Sequence, residues 1–328
     1  MKSILTTVTL LMVLLSVIIL ALYFFITNPI FSVNSSTKPI LKAKASSSRL
    51  ETHVRSLVEI SPPRNHENVA SLHKASSYIH SELLSSGLEA KYQVYNVGDN
   101  TYRNVVARIT GREPGTIVIG AHYDVCGETP GADDNASAVA GLLELARLIK
   151  GEAHIPKHSL ELVAWTLEEP PHFRQVTMGS YVHANSLLEQ GERPLLAISL
   201  EMIGYFSDEK DSQTFNVWPL GLLYPSVGNF IAIVGSTGEW LKVRRMKTLF
   251  SASSDVPIHS INTPIRFEGV DFSDHLNFWK KGFPAVMLTD TAFLRNKNYH
   301  QATDTPETLN YEKMASVING IAQVALEF

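Results

Sequence analysis

Six side chains in this chain of 328 residues have the types and the placing to hold metal ions and to move a proton beside them. His122 ends the run I-V-I-G-A-H, Asp134 lies in P-G-A-D-D-N-A-S, Glu168 and Glu169 follow V-A-W-T-L, Glu201 follows A-I-S-L, and His300 stands in N-Y-H-Q-A-T-D. One acid at the end of an apolar run is commonly just solvated, so the weight rests on the set. His122, Asp134, Glu169, Glu201 and His300 supply enough imidazole and carboxylate for two zinc ions, each with one His and one acid of its own and with one acid shared. With Glu169 spent on metal, Glu168 can serve as general base toward a water that the cations acidify. The set points to a two-metal hydrolase.

The elements that must carry these residues are legible in the hydrophobic pattern. Residues 117–121, 160–167 and 195–200 are rich in Val, Ile, Leu and Ala without polar alternation, which predicts strands buried on both faces. Each ends in a polar candidate, and in an open α/β sheet the carboxyl ends of the strands border the ligand crevice. Glu168 and Glu169 can share that crevice only if the backbone bends as the strand ends, because successive strand residues point to opposite faces. The run from 195 is expected to continue to 203; further strands are expected near 88–95, 103–109, 229–234 and 284–288, and helices over 49–60, 67–86, 134–150, 179–190, 240–250 and 311–326. The 134–150 pattern puts Asp134 near a helix start, where the dipole favours an anion. On the helix at 240–250, Lys242, Arg244, Arg245 and Lys247 read as a solvated face. The expected fold class is α/β, with a mixed, mostly parallel central sheet flanked by helices.

Residues 4–26 carry no charge and are dominated by Leu, Val, Ile and Phe. As a helix they measure roughly 35 Å, enough for a hydrocarbon core of about 30 Å. A secretory signal has a shorter apolar region of about 7–15 residues. The expected organisation is a membrane anchor over 1–31, a polar linker over 32–48 and a catalytic domain over 49–328. Lys2 favours a single-pass topology with the domain outside the cytoplasm, periplasmic or extracellular, whereas Lys38, Lys42 and Lys44 pull the other way. A net charge of −4 offers no basic field for nucleic acid. The single cysteine, Cys126, excludes an intramolecular disulfide and reads as a free, reactive thiol between His122 and Asp134. His66, His73, His80, His154, His158, His183 and His259 lack partners at ligand spacing and read as structural or exposed. His172 and Phe173, after the stiff Pro170-Pro171 pair, and the segment 207–225 are candidates for the walls of a cleft.

From about Leu50 onward the chain resembles the di-zinc aminopeptidase family of bacterial leucyl aminopeptidase type, related to the glutamate carboxypeptidase, transferrin receptor and glutaminyl cyclase groups. The resemblance is carried by G-A-H-Y-D, P-G-A-D-D-N-A-S, the E-E pair, S-D-H at 273–275 and the late Y-H pair. It implies a zinc exopeptidase (phosphorylase/hydrolase-like) fold holding two Zn2+ per chain. It further implies that His122, Glu169, Glu201 and His300 ligate, that Asp134 bridges and that Glu168 is the general base. By the same resemblance Asp124 orients His122, Tyr299 donates to an oxyanion, and Asp274, with His275 beside it, supports the cleft. One position departs from the pattern: where many members read N-L-D-M-I-G this chain reads S-L-E-M-I-G, so Glu201 offers a carboxylate one methylene longer. The implied substrate is a peptide or aminoacyl amide cut at its N-terminus. The competing readings are a glutaminyl cyclase-like acyltransferase with a single zinc and a receptor-like ectodomain without activity.

Overall fold

The apolar runs form the middle of one eight-stranded sheet in the computed structural model, which describes residues 2–30, 39–152, 154–264 and 269–328. The strands are β1 (Ala90–Val97), β2 (Asn100–Ile109), β3 (Glu113–His122), β4 (His158–Trp165), β5 (Leu196–Glu201), β6 (Ile231–Ser236), β7 (Ile258–Thr263) and β8 (Ala285–Thr289), in the spatial order β1-β2-β4-β3-β5-β8-β6-β7. The central pairs β4–β3, β3–β5 and β5–β8 are parallel, as is β6–β7, while β1–β2, β2–β4 and β8–β6 are antiparallel.

Helices cover both faces, which is why β3, β4 and β5 show no alternation. Ile117, Ile119 and Ala121 of β3 pack into the larger core with α2 (Ser47–Val58), α3 (Val69–Ser85), α4 (Ala138–Gly151), α6 (Trp240–Phe250) and α8 (Tyr311–Glu327). Val118 of the same strand points the other way, into a smaller core with α5 (Gly179–Glu189) and α7 (His275–Lys280). Because β4, β3, β5 and β8 run in one direction, His122, Trp165, Glu201 and Thr289 come to the same edge of the sheet.

Several expectations shift in detail. The strand expected to reach 167 ends at Trp165, and Leu167 takes a left-handed φ of 59°. This is the bend that turns both Glu168 and Glu169 toward the sheet edge. The helix expected from 134 begins at Ala138, and Asp134 itself has φ −102° and ψ 86°, outside the helical region. Its carboxylate therefore owes its place to a loop, and the dipole argument for it does not apply. Strand β7 and helix α7 have no counterpart in the sequence reading. The first alternates polar residues in H-S-I-N-T, and the second is a six-residue helix, too short to show periodicity.

The N-terminal helix α1 (Lys2–Thr27) contains a stretch, Thr6–Thr27, long and apolar enough to cross a membrane by length and composition. Its last residues are tied to the sheet edge. Lys247 Nζ donates to the carbonyls of Thr27 (3.1 Å) and Asn28 (2.8 Å), and Asn28 Nδ2 donates to the Trp240 carbonyl (2.7 Å). Lys247 is thus buried, at 3% exposure, rather than part of the expected solvated face; it satisfies carbonyls left over at the end of α1. Of the expected polar linker, 32–38 lies outside the described residues, as does residue 31 of the expected anchor. Ile40 to Ser46 run along the domain, with backbone amides held by the side chains of Gln323, Glu152, Asn319 and Glu144.

Candidate metal centre

All five proposed ligands and Glu168 meet at the carboxyl edge of the sheet. His122 Nε2 lies 3.4 Å from Asp134 Oδ1 and 3.4 Å from Glu201 Oε2. On the other side, His300 Nε2 lies 3.1 Å from Asp134 Oδ2 and 3.3 Å from Glu169 Oε2. The two oxygens of Asp134 therefore face two separate His–carboxylate pairs, and Glu168 Oε2 approaches His122 Nε2 at 4.0 Å. Glu201 reaches the cluster despite its extra methylene, steadied by a 2.7 Å hydrogen bond from Ser273 Oγ.

The surroundings explain how these side chains are held. Asp124 accepts the backbone N–H groups of Glu168 on Oδ1 (3.1 Å) and of Glu169 on Oδ2 (3.0 Å), and Oδ1 also faces His122 Nδ1 at 3.5 Å. Asp304 accepts the N–H groups of Asp133 (2.9 Å) and Asp134 (3.1 Å). The D-D-N-A-S segment is laced to the strand end that carries Glu201. Asn135 Nδ2 donates to the Leu200 carbonyl (3.0 Å), while Met202, Ile203 and Gly204 donate their N–H groups to Asn135 Oδ1 (2.9 Å), Ser137 Oγ (3.1 Å) and Asp133 Oδ1 (2.9 Å). Arg64, at 2% exposure, donates to the carbonyls of Tyr123, Pro130 and Gly131 and so fixes the loop before Asp134. Gly131 is required there: its φ is +60°, and a Cβ would collide with the Asp134 carbonyl oxygen and the Val125 side chain. Leu167, Met202 and His300 all take positive φ (59°, 47° and 55°), so the backbone is strained at or beside three of the site residues.

The electrostatics favour cations. Burial pushes Glu168 well above the ordinary carboxyl range, with Glu169 and Glu201 adding repulsion, and burial together with Asp134 carries Glu169 up to about 8. Burial opposes ionisation of Asp134 too, but His122 and His300 outweigh it and hold that carboxyl below its usual value. His300 Nε2 is buried without a hydrogen bond, an orphaned lone-pair or N–H position aimed into the cluster. A set of nitrogen and oxygen ligands, crowded and mutually repulsive, with an imidazole nitrogen that faces two carboxylates without a hydrogen bond of good geometry, fits zinc.

Tyr299 stacks on the His300 ring at 3.8 Å, and burial, followed by the field of Asp134, Glu169 and Glu168, raises its phenol, which stays protonated as a donor. Asp274 is fully buried, and burial carries its carboxyl up to about 7 within the field of His122 and Glu201. Cys126 is half-buried, and burial followed by Glu169 and Asp134 pushes its thiol up to about 12. The expectation of a reactive thiol is thereby corrected, since the reactive thiolate is scarce near neutral pH. His183 is a buried structural residue bonded to Glu161 at 2.6 Å. The roles of Asp304, Asn135, Ser273 and Arg64 are not legible in the sequence, although Asn135 and Ser273 lie within motifs that carry the resemblance, because each acts on a partner far away in the chain. Only D-T-P-E-T close behind His300 hints at Asp304.

A cleft of about 170 Å³ opens beside Glu201 and Tyr299, walled by Phe215, Phe230, Ile261, Phe272, Met287 and Phe293. The segment 207–225 supplies one wall through Phe215 and Tyr224. Phe173 backs Phe272 at 6.0 Å, and His172 instead sits against His66 at 5.4 Å.

A mixed sheet flanked by helices is the fold of solved zinc exopeptidases, and a zinc aminopeptidase from Bacillus subtilis superposes with a TM-score of 0.65 at 13% identity over 85% of this chain and 94% of that one. Residues 104–325 match the profile of Peptidase family M28, and the chain belongs to that family. It is 44% identical over 292 residues to the uncharacterized protein YfbL of Escherichia coli (strain K12), covering 86% of this chain and 88% of that one. It is also 27% identical over 237 residues to a probable leucine aminopeptidase of Trichophyton verrucosum (strain HKI 0517), with 69% of this chain aligned to 56% of that protein.

Proposed function

We propose that this metal-dependent M28 peptidase is a two-zinc aminopeptidase that removes apolar N-terminal residues from peptides or aminoacyl amides. The observation that carries the reading is the division of Asp134, whose two oxygens face His122–Glu201 on one side and His300–Glu169 on the other. These residues would hold the two ions with Asp134 between them. Zinc bound there would supply Lewis acidity and an activated water.

The chain's own residues supply the rest. Glu168, raised by burial, accepts the proton of the attacking water and returns it to the departing amine. Tyr299 donates its hydroxyl to the developing oxyanion. Asp124 holds the His122 ring and both glutamate amides in place, and Asp274 lends a buried carboxyl behind them. The apolar cleft beside Glu201 takes the N-terminal side chain. The same reading places α1 in a membrane as a single-pass anchor with the peptidase domain on the extracytoplasmic side, supported by its length and by its largely exposed apolar surface.

Mass-spectrometric metal analysis of the full chain, run with hydrolysis of a panel of aminoacyl amides, tests the reading. Two zinc ions per chain with release of apolar N-terminal residues is the expected result. One zinc with cyclisation of an N-terminal glutamine would assign a glutaminyl cyclase-like acyltransferase instead. Two pairs of ligands weigh against that alternative, and their completeness weighs against an inactive receptor-like ectodomain.

A further inference from the structure

We infer that the lip formed by residues 217–222 and the first turn of α6 rests in the interface of the membrane that α1 enters, so that the apolar cleft opens at the bilayer surface. The inference depends on the anchoring role proposed for α1. It starts from the join between that helix and the domain. Besides the bonds from Lys247 and Asn28, Ser260 Oγ donates to the Thr27 carbonyl at 3.0 Å, and Trp240 Nε1 donates to the Phe25 carbonyl at 3.0 Å. The domain is bolted to the helix end at several points, so the depth of α1 fixes the depth of its neighbours.

The 22 residues Thr6–Thr27 extend about 33 Å, against a hydrocarbon core of about 30 Å. Phe25 therefore lies at the edge of the core on the domain side, and the Trp240 indole bonded to its carbonyl lies at the same level. That is the headgroup zone in which Trp and Tyr concentrate. Tyr23, about half a turn deeper, is close enough to Tyr224 to act on its phenol, after burial the second influence raising it. Tyr224 in turn donates to the Ser260 carbonyl at 2.8 Å. The segment leading into Tyr224 is thus held at the level of the last turns of α1.

That segment and the first turn of α6, each tied to the end of α1, present apolar side chains outward. Trp218 is 79% exposed, Leu222 71% and Leu241 73%. Lone exposed apolar residues mean little, but three large ones on two segments tied to a transmembrane exit suit lipid better than water. Lys242, Arg244 and Arg245 follow directly on α6, and the Arg244 guanidinium lies 5.5 Å from the Trp240 ring centre, an arrangement suited to anionic headgroups. The lip is continuous with the cleft, since Val217, Leu220, Tyr224 and Ser260 also line it. A substrate peptide lying on the bilayer surface would find the cleft at its own level.

The test is quenching of tryptophan fluorescence in the full chain reconstituted into phosphatidylcholine–phosphatidylglycerol vesicles whose acyl chains carry bromine. The expected result is quenching that falls clearly in W218F and falls further in W218F combined with W240F. A W218F chain that loses none of the wild type's quenched intensity per molecule, while floating with the vesicles, would put Trp218 in water and overturn the inference while leaving the anchor intact. Chains that fail to float would remove the anchoring role itself, and this inference with it.

Discussion

Replacing Asp124 by Asn tests whether the site is held by its surroundings. The carboxylate accepts Glu168 N–H on Oδ1 and Glu169 N–H on Oδ2, and Oδ1 also faces His122 Nδ1. An amide has the same shape but turns one acceptor into a donor. If the NH2 replaces Oδ2, the Glu169 N–H is left buried and unpaired; if it replaces Oδ1, the Glu168 N–H is left unpaired and the imidazole exchanges a carboxylate oxygen for an NH2, keeping only the Asp124 backbone carbonyl at 3.3 Å. The first arrangement loses less, and one unsatisfied buried donor costs about 1–3 kcal/mol. If that loss falls on the form that binds metal, D124N weakens zinc binding by roughly 5- to 150-fold, which brackets the 10- to 100-fold common for residues that orient metal ligands. Zinc affinity against a graded chelator buffer measures this directly, with thermal melting of the metal-free protein as the control for folding. A D124N protein of normal melting behaviour whose zinc affinity stays within about two-fold of wild type would refute the reasoning.

Further perturbations separate the other roles. E168Q should retain its zinc by mass spectrometry but lose about 10²- to 10⁴-fold in kcat, whereas loss of metal would make Glu168 a ligand. His275, fully buried with its Nε2–H donated to the Val270 carbonyl at 2.7 Å, is pushed by burial down to about 4. Its folded pKa lies below the unfolded value of 6.5, so the stability tied to the neutral ring is complete above pH 6.5 and is lost as pH falls toward 4. Urea unfolding of wild type should therefore lose about 1.4 kcal/mol per pH unit more than H275Q across that window, and parallel pH profiles would contradict it. K247M removes the donor to the Thr27 and Asn28 carbonyls, and hydrogen exchange at the α1–β7 junction should accelerate by about ten-fold or more, corresponding to at least one lost hydrogen bond to a charged group.

The parts of the fold that could be read in the sequence are those whose physics is local. Buried parallel strands announce themselves as unbroken apolar runs, and a polar residue that ends such a run, as His122 and Glu201 do, is marked by contrast with it. Asp134 and His300 lie in irregular backbone with no regular strand to mark them, so residue type brings them into the set and only the resemblance gives them separate roles. The supporting shell was hidden for a different reason. Asp304 serves amides 170 residues earlier in the chain, and T-D-T-P looks like any turn. Ser273 meets Glu201 across a separation of 72 residues. Lys247 looked like one more basic residue on an amphipathic helix, because the carbonyls it satisfies belong to an element 219 residues away.

The lacing of the D-D-N-A-S segment to the end of β5 has a consequence for metal loading under the two-zinc proposal. The four hydrogen bonds use Asn135, Ser137, Asp133 and backbone groups, and none uses the carboxylates of Asp134 or Glu201. On the two-zinc proposal, the spacing between the two candidate ion positions would be written into the polypeptide, unlike a zinc finger, where binding the ion and folding are one event. Chelation should empty such a socket without collapsing it, and loading can follow folding as a separate, reversible step whose timing is set by the zinc supply around the mature protein.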